Sequence, residues 1–285
     1  MPIENAQIHL DSAWGPLVFD AVHAGSDDGE PVILLHGFPQ NSSEWAAVIP
    51  ALASRGYSVV APDQRGYSSG ARPTQVQAYR TPELAADVVA MIDALGWESA
   101  HIVGHDWGAI IGWWVAAQHP EVVHSLTAIS VPHPSAFGSA LLQDPIQREK
   151  SGYIGFFRND PVKARDVLLR DGGITLRTMY EGAVSDTMLD TYLDFFGADD
   201  GAALTAGMYW YGAMSEQEMM AVPKVSVPTT FVWGDRDIAI SSTAANACSE
   251  YVTGEFEFRV LDGRGHWLPD EDPAAVINAI TLRVG

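Results

Sequence analysis

The stretch Gly104-His105-Asp106-Trp107-Gly108 lies between two segments of different pattern. Residues 101–103 before it form a short apolar run typical of a buried strand, and residues 107–118 after it are typical of a buried helix. A chain that turns from strand to helix within one residue strains the central residue and leaves room only for small neighbours. Two glycines provide them here. The stretch therefore predicts a strand–turn–helix unit that presents Asp106 at its turn.

Similar apolar runs recur on both sides of this unit. Strands are predicted for residues 32–35, 58–61, 101–103, 123–129, 227–234 and 255–261. Helices are predicted for residues 81–95, 107–118 and 273–282. Alternating strands and helices are typical of a mainly parallel sheet with helices on both faces. The predicted fold class is therefore α/β.

The strand pattern is interrupted in the middle of the chain. After residues 131–134 the sequence becomes helical and rich in Met, Tyr and Phe, and strands resume at residue 227. This predicts a core of residues 1–132 and 222–285 and an inserted helical domain of residues 133–221. An insertion above the C-terminal ends of parallel strands lies where ligands bind in such sheets.

Composition and charge exclude several classes of partner. The chain has 285 residues, 47% hydrophobic and 18% charged, which predicts a globular protein. Its net charge of −20 argues against binding to nucleic acid or to an anionic membrane surface. The single cysteine, Cys248, allows no disulfide within the chain, and the N-terminal residues lack the pattern of a signal peptide. We expect a cytoplasmic monomer or homodimer.

An aspartate at the predicted turn favours one kind of chemistry. A turn of this type presents a catalytic nucleophile, and a carboxylate suits displacement at a saturated carbon. Opening an epoxide or expelling a halide would leave an alkyl ester on Asp106, which water must then hydrolyse. The alternative is an aspartate that only caps the following helix. The two flanking glycines favour the nucleophile.

A loop after an earlier strand supplies the predicted oxyanion hole. His36-Gly37-Phe38-Pro39 follows the strand of residues 32–35. In a strand–turn–helix arrangement of this kind, a backbone N–H of that loop joins the N–H of the residue after the nucleophile. We expect the N–H groups of Phe38 and Trp107 to stabilise the oxyanion as the ester is hydrolysed. His36 is expected to hold the loop.

Two later loops carry the predicted acid and base. Asp237, in Gly234-Asp235-Arg236-Asp237, lies where the acid is expected, with Asp235 as its competitor. Aspartates after a strand also commonly form turns. His266 follows in a glycine-rich loop and is predicted to be the general base, oriented by Asp237.

These motifs together resemble a known family. HGFP at 36–39, GHDWG at 104–108, GDRD at 234–237 and GHW at 265–267 are similar in order and spacing to the α/β-hydrolase-fold epoxide hydrolases and to the related haloalkane and haloacetate dehalogenases. The resemblance extends over essentially the whole chain and implies that the inserted helices form a cap. It implies an apolar epoxide opened to a vicinal diol with water. No motif for a metal, phosphate or dinucleotide is present, so we expect no cofactor.

The resemblance also implies two cap tyrosines that bind the epoxide oxygen. Tyr153 opens a segment similar to the first tyrosine motif, and Tyr211 lies in one similar to the second. The second match lacks the usual Asn and Arg, and Tyr209 is its alternative. Tyrosines in an aromatic-rich cap also often serve packing alone. The expected pocket residues are His36, Pro39, Phe137, Phe156, Tyr209, Trp210 and Trp267.

A dehalogenase with the same three catalytic residues is the alternative function. Haloalkane dehalogenases typically have asparagine where this chain has Phe38, and haloacetate dehalogenases have arginines where it has Trp107 and Ile110. Both differences favour the epoxide hydrolase. The HGFPQN run at 36–41 is similar to the haloacetate subgroup and favours the alternative. A non-catalytic binding protein is the third hypothesis, against which the complete set of catalytic residues argues.

Overall fold

A computed structural model describes residues 3–284, which contain one eight-stranded sheet. The strands are β1 Ile3–Ser12, β2 Gly15–Ala24, β3 Glu30–Leu35, β4 Tyr57–Pro62, β5 Ala100–His105, β6 Val123–Ile129, β7 Thr229–Gly234 and β8 Phe256–Leu261. Their order across the sheet is β1-β2-β4-β3-β5-β6-β7-β8. β1 and β2 pair antiparallel, and β2 runs antiparallel to β4. The other six strands, β3 to β8, run parallel to one another. The mainly parallel sheet is confirmed.

The two faces of the sheet are covered by different helices. The helices outside the segment between β6 and β7 are α1 Val48–Ala53, α2 Thr81–Ala94, α3 Trp107–Gln118, α11 Ser242–Ala247, α12 Leu268–Glu271 and α13 Pro273–Val284. Successive side chains of a strand point to opposite faces. In β3, Val32 and Leu34 pack in the cluster formed with α1 and α13, while Ile33 and Leu35 pack in the cluster formed with α2 and α3. Because both faces are buried, the central strands are apolar throughout.

Helices fill the chain between β6 and β7. They are α4 Pro134–Gln143, α5 Pro145–Lys150, α6 Tyr153–Asn159, α7 Pro161–Met179, α8 Asp186–Gly197, α9 Ala202–Ala213 and α10 Glu216–Met220. α7 is broken in its middle, where Asp171, Gly172 and Gly173 have positive φ. None of the helices within residues 3–284 combines the length and apolarity needed to cross a membrane. The division at residues 133 and 221 remains a prediction about domains.

The first two strands were not predicted from the sequence. β1 and β2 form a hairpin whose buried side chains alternate, with Ile8 and Leu10 in one strand and Leu17 and Phe19 in the other. Gly15, at φ +102°, begins β2 directly after the turn. The hairpin lies at the edge of the sheet farthest from β8, so it extends the sheet without contributing to the cavity described below.

Candidate active site

Asp106 lies at the turn between β5 and α3 in a strained backbone conformation. Its φ is +50° and its ψ is −115°, values that a non-glycine residue rarely adopts. The turn depends on its two glycines. A Cβ on Gly104 would lie 2.2 Å from the carbonyl oxygen of Gly108, and one on Gly108 would lie 2.0 Å from that of Leu35. The strain therefore presents a buried carboxylate at the C-terminal edge of the sheet.

The loop after β3 contacts this carboxylate through its backbone. The N–H of Phe38 donates a hydrogen bond of 2.9 Å to Oδ1 of Asp106. Gly37 makes the approach possible, since a Cβ there would lie 2.5 Å from Cβ of Asp106. Trp107 is the first residue of α3, and the first N–H groups of a helix have no partner within it. Both predicted oxyanion donors thus belong to backbone segments that meet at Asp106.

His266 lies between two carboxylates. Its Nε2 is 3.3 Å from Oδ2 of Asp106, and its Nδ1 is 2.9 Å from Oδ2 of Asp237. Asp237 is fixed in turn, because its Oδ1 accepts the backbone N–H of Ala239 at 2.7 Å and that of Ile240 at 2.9 Å. Asp235, the competitor, is exposed and accepts the N–H of Gly263 at 2.6 Å. The geometry therefore joins Asp237, and not Asp235, to the histidine.

The two carboxylates determine the protonation of the histidine. Burial alone would lower the pKa of His266, but the negative charges of Asp237 and Asp106 raise it to about 10. Burial would likewise raise the pKa of Asp106, but its hydrogen bond to His266 and the charge of that ring hold it below its usual value. Without ligand, the site is therefore an imidazolium between two carboxylates.

An apolar cavity of about 190 Å³ opens above the carboxylate of Asp106. It is lined by Phe38, Asp106, Tyr153, Met179, Tyr211, Ile238, Ala239, His266 and Trp267. A second cavity, of about 20 Å³, shares Asp106, Tyr153, Tyr211 and Ala239 with the first. Its other walls are Trp107, Ile110, Val131, Phe137, Ile154, Met214 and Ile240. Asp106 and the two tyrosines therefore lie where a larger and a smaller arm of one apolar site meet.

Tyr153 and Tyr211 lie next to each other on different helices. Tyr153 begins α6, Tyr211 lies in α9, and their ring centroids are 6.1 Å apart. Burial is the main cause that raises the pKa of both phenols, and the charge of Asp106 adds to it. Both phenols therefore keep their protons at neutral pH and can donate hydrogen bonds into the cavity.

Several residues predicted for the pocket lie elsewhere. Tyr209 packs on Tyr79, with centroids 5.4 Å apart, and Trp210 is buried and donates its indole N–H to the carbonyl of Arg65 at 3.0 Å. Neither lines a cavity around Asp106, because consecutive residues of a helix point in different directions.

Neither arm is lined by His36, Pro39 or Phe156, which were also predicted for the pocket. His36 holds the loop, since its Nε2 accepts the N–H of Gln64 at 3.0 Å. Pro39 accepts a hydrogen bond from the Tyr180 hydroxyl through its carbonyl, and Phe156 is 39% exposed. Of the predicted pocket set, Trp267 lines the larger arm and Phe137 the smaller one.

Comparisons with known proteins agree with this arrangement. Residues 30–273 match the family model described as alpha/beta hydrolase fold. Epoxide hydrolase A of Mycobacterium tuberculosis is 32% identical over 91% of each chain, and the AB hydrolase superfamily protein YfhM of Bacillus subtilis is 32% identical over 91% of each. An epoxide hydrolase structure from metagenomes of hot environments superimposes with a TM-score of 0.84 at 29% identity, covering 100% of this chain and 99% of the other.

This chain belongs to the epoxide hydrolase family of the α/β-hydrolase fold. Three residues that line the larger arm were not predicted from the sequence of this epoxide hydrolase family member: Met179, Ile238 and Ala239. Ile238 and Ala239 directly follow Asp237 in the sequence, and this proximity to the predicted acid could have identified them. Met179 ends α7, far from every motif, and only the packing of the helices brings it to the cavity.

Proposed function

We propose that this protein hydrolyses apolar epoxides to vicinal diols through an alkyl ester on Asp106. The observation that carries the proposal is that one apolar cavity is lined by Asp106, His266, Tyr153 and Tyr211 together. Ring opening is served by a carboxylate nucleophile and by two phenols that donate to the ring oxygen. Hydrolysis of the resulting ester is served by a histidine. We also propose that residues 133–221 form a cap over a core of residues 1–132 and 222–285, and that the protein is cytoplasmic.

In the first step, a carboxylate oxygen of Asp106 attacks one carbon of the ring. The bond between that carbon and the ring oxygen breaks, and the hydroxyls of Tyr153 and Tyr211 donate to the oxygen as negative charge develops. A phenol suits this role because its ordinary pKa of about 10 keeps it protonated at neutral pH, and the pKa of both phenols is raised further here. The product is a hydroxyalkyl ester of Asp106 whose new hydroxyl carries a proton supplied by the enzyme.

Ester formation changes the state of His266. The free carboxylate of Asp106 helps to raise the pKa of His266 to about 10. An ester has no charge, so the pKa of His266 falls once Asp106 is alkylated. The proton that His266 then loses balances the one gained by the new hydroxyl. The first step thereby produces the neutral imidazole that the second step needs.

In the second step, neutral His266 removes a proton from water, which attacks the ester carbonyl. The oxyanion that forms is stabilised by backbone N–H groups, and that of Phe38 already contacts Oδ1 of Asp106. Collapse of this intermediate breaks the bond between the carbonyl carbon and the alkyl oxygen. The proton of the added hydroxyl passes to that oxygen, which releases the diol and restores the carboxylate of Asp106 and the imidazolium of His266. Asp237 keeps the imidazole oriented throughout, because its Oδ1 accepts two backbone N–H groups while its Oδ2 contacts Nδ1 of the ring.

The test is diol formation from a panel of aryl and alkyl epoxides, with Asp106→Ala as the control. The proposal expects diol from the unaltered protein and none from the variant. Halide release from haloalkanes without diol from any epoxide would instead assign the dehalogenase reaction. Equal diol formation by both proteins would exclude Asp106 as the nucleophile.

A further inference from the structure

A buried carboxyl group that the proposed reaction does not use lies behind the catalytic residues. Glu44 belongs to a short 3-10 helix, Ser42–Trp45, and its side chain has no exposed surface. Its Oε2 lies 3.3 Å from Nδ1 of His105, the residue before the nucleophile. Its Oε1 has no hydrogen-bond partner among the residues that the structure describes. Because a buried charge is costly unless it is paired, this environment disfavours the ionised form of Glu44.

The second hydrogen bond of His105 fixes where its proton lies. Nε2 of His105 is 2.9 Å from the backbone oxygen of His266. A carbonyl oxygen can only accept, so Nε2 carries the hydrogen. Burial, and next the positive charge of His266, lower the pKa of His105 to about 4. The ring is therefore neutral, has a single N–H, and presents a lone pair at Nδ1.

This assignment determines the state of Glu44. The group that faces a lone pair must donate, and a carboxyl group donates only when it is protonated. The surroundings favour that form, because burial and the nearby charge of Asp270 raise the pKa of Glu44 well above its usual value. The Gly37 backbone and His266 act in the opposite direction and are outweighed. The hydrogen bonds thus run from Glu44 to His105 and from His105 to His266.

The backbone carbonyl that accepts the hydrogen bond from His105 belongs to His266, the proposed base. It also accepts a hydrogen bond of 2.7 Å from the hydroxyl of Ser130, which has a positive φ of 67°. Two donors therefore fix the main chain of His266, while Asp237 fixes its ring at Nδ1. Together these contacts set the direction in which Nε2 points.

We propose that Glu44 is a positioning residue, a neutral acid that fixes the Nε2–H tautomer of His105 and through it the main chain of His266. The inference rests on the proposed role of His266 as the base. An ionised carboxylate at this place would raise the pKa of His266 further, so that less of the histidine would be neutral and able to accept a proton from water. A neutral acid orients the network without that charge.

Three variants test the proposal through the separate rates of ester formation and ester hydrolysis. In Glu44→Gln the amide N–H still donates to Nδ1, so both rates are expected to stay close to those of the unaltered protein. In Glu44→Leu the donor is lost, and ester hydrolysis is expected to fall about 10- to 100-fold while ester formation changes less. Ser43→Ala, in the same 3-10 helix, is the matched control and is expected to change neither rate.

Two kinetic outcomes would overturn the proposal. An equal loss of ester hydrolysis in Glu44→Gln and Glu44→Leu would mean that an ionised carboxylate is needed. Unchanged ester hydrolysis in Glu44→Leu would mean that Glu44 only fills space. Both outcomes are read in proteins that hydrolyse epoxides, so they differ from a failure of the proposed function, in which no ester forms.

A measurement without substrate keeps the inference testable if Glu44→Leu does not fold. The ¹⁵N chemical shifts of the His105 ring in the unaltered protein distinguish its two tautomers. We expect a proton on Nε2 and none on Nδ1 at neutral pH. A proton on Nδ1, alone or together with one on Nε2, would overturn the proposal.

Discussion

Nε2 of His266 lies 3.3 Å from Oδ2 of Asp106, so the proposed base and the proposed nucleophile form an ion pair in the free protein. Each stabilises the charged form of the other, and the charge of Asp237 contributes more than that of Asp106 to the raised pKa of His266. A charged imidazole cannot accept a proton from water. Alkylation of Asp106 removes one of the two negative charges, so we expect it to lower the pKa of His266 and to favour the neutral imidazole that the proposed ester hydrolysis needs.

The ion pair predicts how stability depends on pH. The pKa of His266 rises on folding from 6.5 to about 10. A raised pKa contributes stability that is fully present below the unfolded value and is lost as the pH rises through the folded value. The difference in the free energy of unfolding between the unaltered protein and His266→Gln should therefore shrink steadily from pH 6.5 to pH 10. Denaturant titrations of both proteins measure it, and a difference independent of pH would contradict the raised pKa.

The proposed roles of Tyr153 and Tyr211 predict a contrast between neighbouring residues. Tyr211→Phe removes a donor from the cavity and should slow ester formation by about 100-fold. Tyr209→Phe, two residues away, removes a hydroxyl that does not face the cavity and should leave the rate unchanged. Rapid-quench measurement of ester formation compares them. A larger loss in Tyr209→Phe would assign the second donor to that residue instead.

Tyr153→Phe should slow the same step. In the proposed reaction its hydroxyl is the other donor to the ring oxygen, and the ring centroids of Tyr153 and Tyr211 are 6.1 Å apart. Because the two phenols act on one oxygen, the loss in the double variant is expected to differ from the sum of the single losses. An unchanged rate of ester formation in Tyr153→Phe would remove this residue from the reaction.

The unequal arms of the cavity predict a preference among epoxides. The arm of about 20 Å³ has space for about one water molecule, whereas the other has about 190 Å³. Terminal epoxides should therefore react with a higher kcat/KM than trans-disubstituted ones, by about 10- to 200-fold for one added methyl group. Phe137→Ala should reduce this ratio by widening the smaller arm.

Met179→Ala is the matched control for that prediction, because Met179 lines only the larger arm. It should change the rates for long terminal epoxides and leave the preference against trans-disubstituted ones in place. Equal kcat/KM values for terminal and trans-disubstituted substrates in the unaltered protein would contradict the unequal arms.

Local sequence was sufficient for the parts of the site that depend on backbone geometry. The turn at Asp106 needs glycines at 104 and 108, so the requirement is visible in the residues themselves. The loops of Phe38, Asp237 and His266 follow parallel strands, and such strands bring their C-terminal ends to one edge of the sheet. Strand pattern and motif order together therefore predicted which loops meet.

The direction of side chains on helices was not predictable in the same way. Tyr209, Trp210 and Tyr211 are consecutive in α9, yet only Tyr211 lines the cavity, because each residue of a helix is rotated by about 100° from the last. Which of the three faces the nucleophile depends on how α9 packs. The contact between Glu44 and His105 joins residues 61 positions apart. Glu44 belongs to no motif, and no partner was predicted for the side chain of His105. Contacts of this kind depend on the packing of the whole fold, so the local sequence does not predict them.

The most direct test of the central claim is the mass of His266→Gln after exposure to an epoxide that the unaltered protein hydrolyses. Without a base, the ester should persist, so intact-protein mass spectrometry should show an increase equal to the mass of the epoxide. Peptide mapping should place it on Asp106, and the double variant with Asp106→Ala should show none. An unmodified His266→Gln protein, or an adduct on another residue, would contradict covalent catalysis by Asp106.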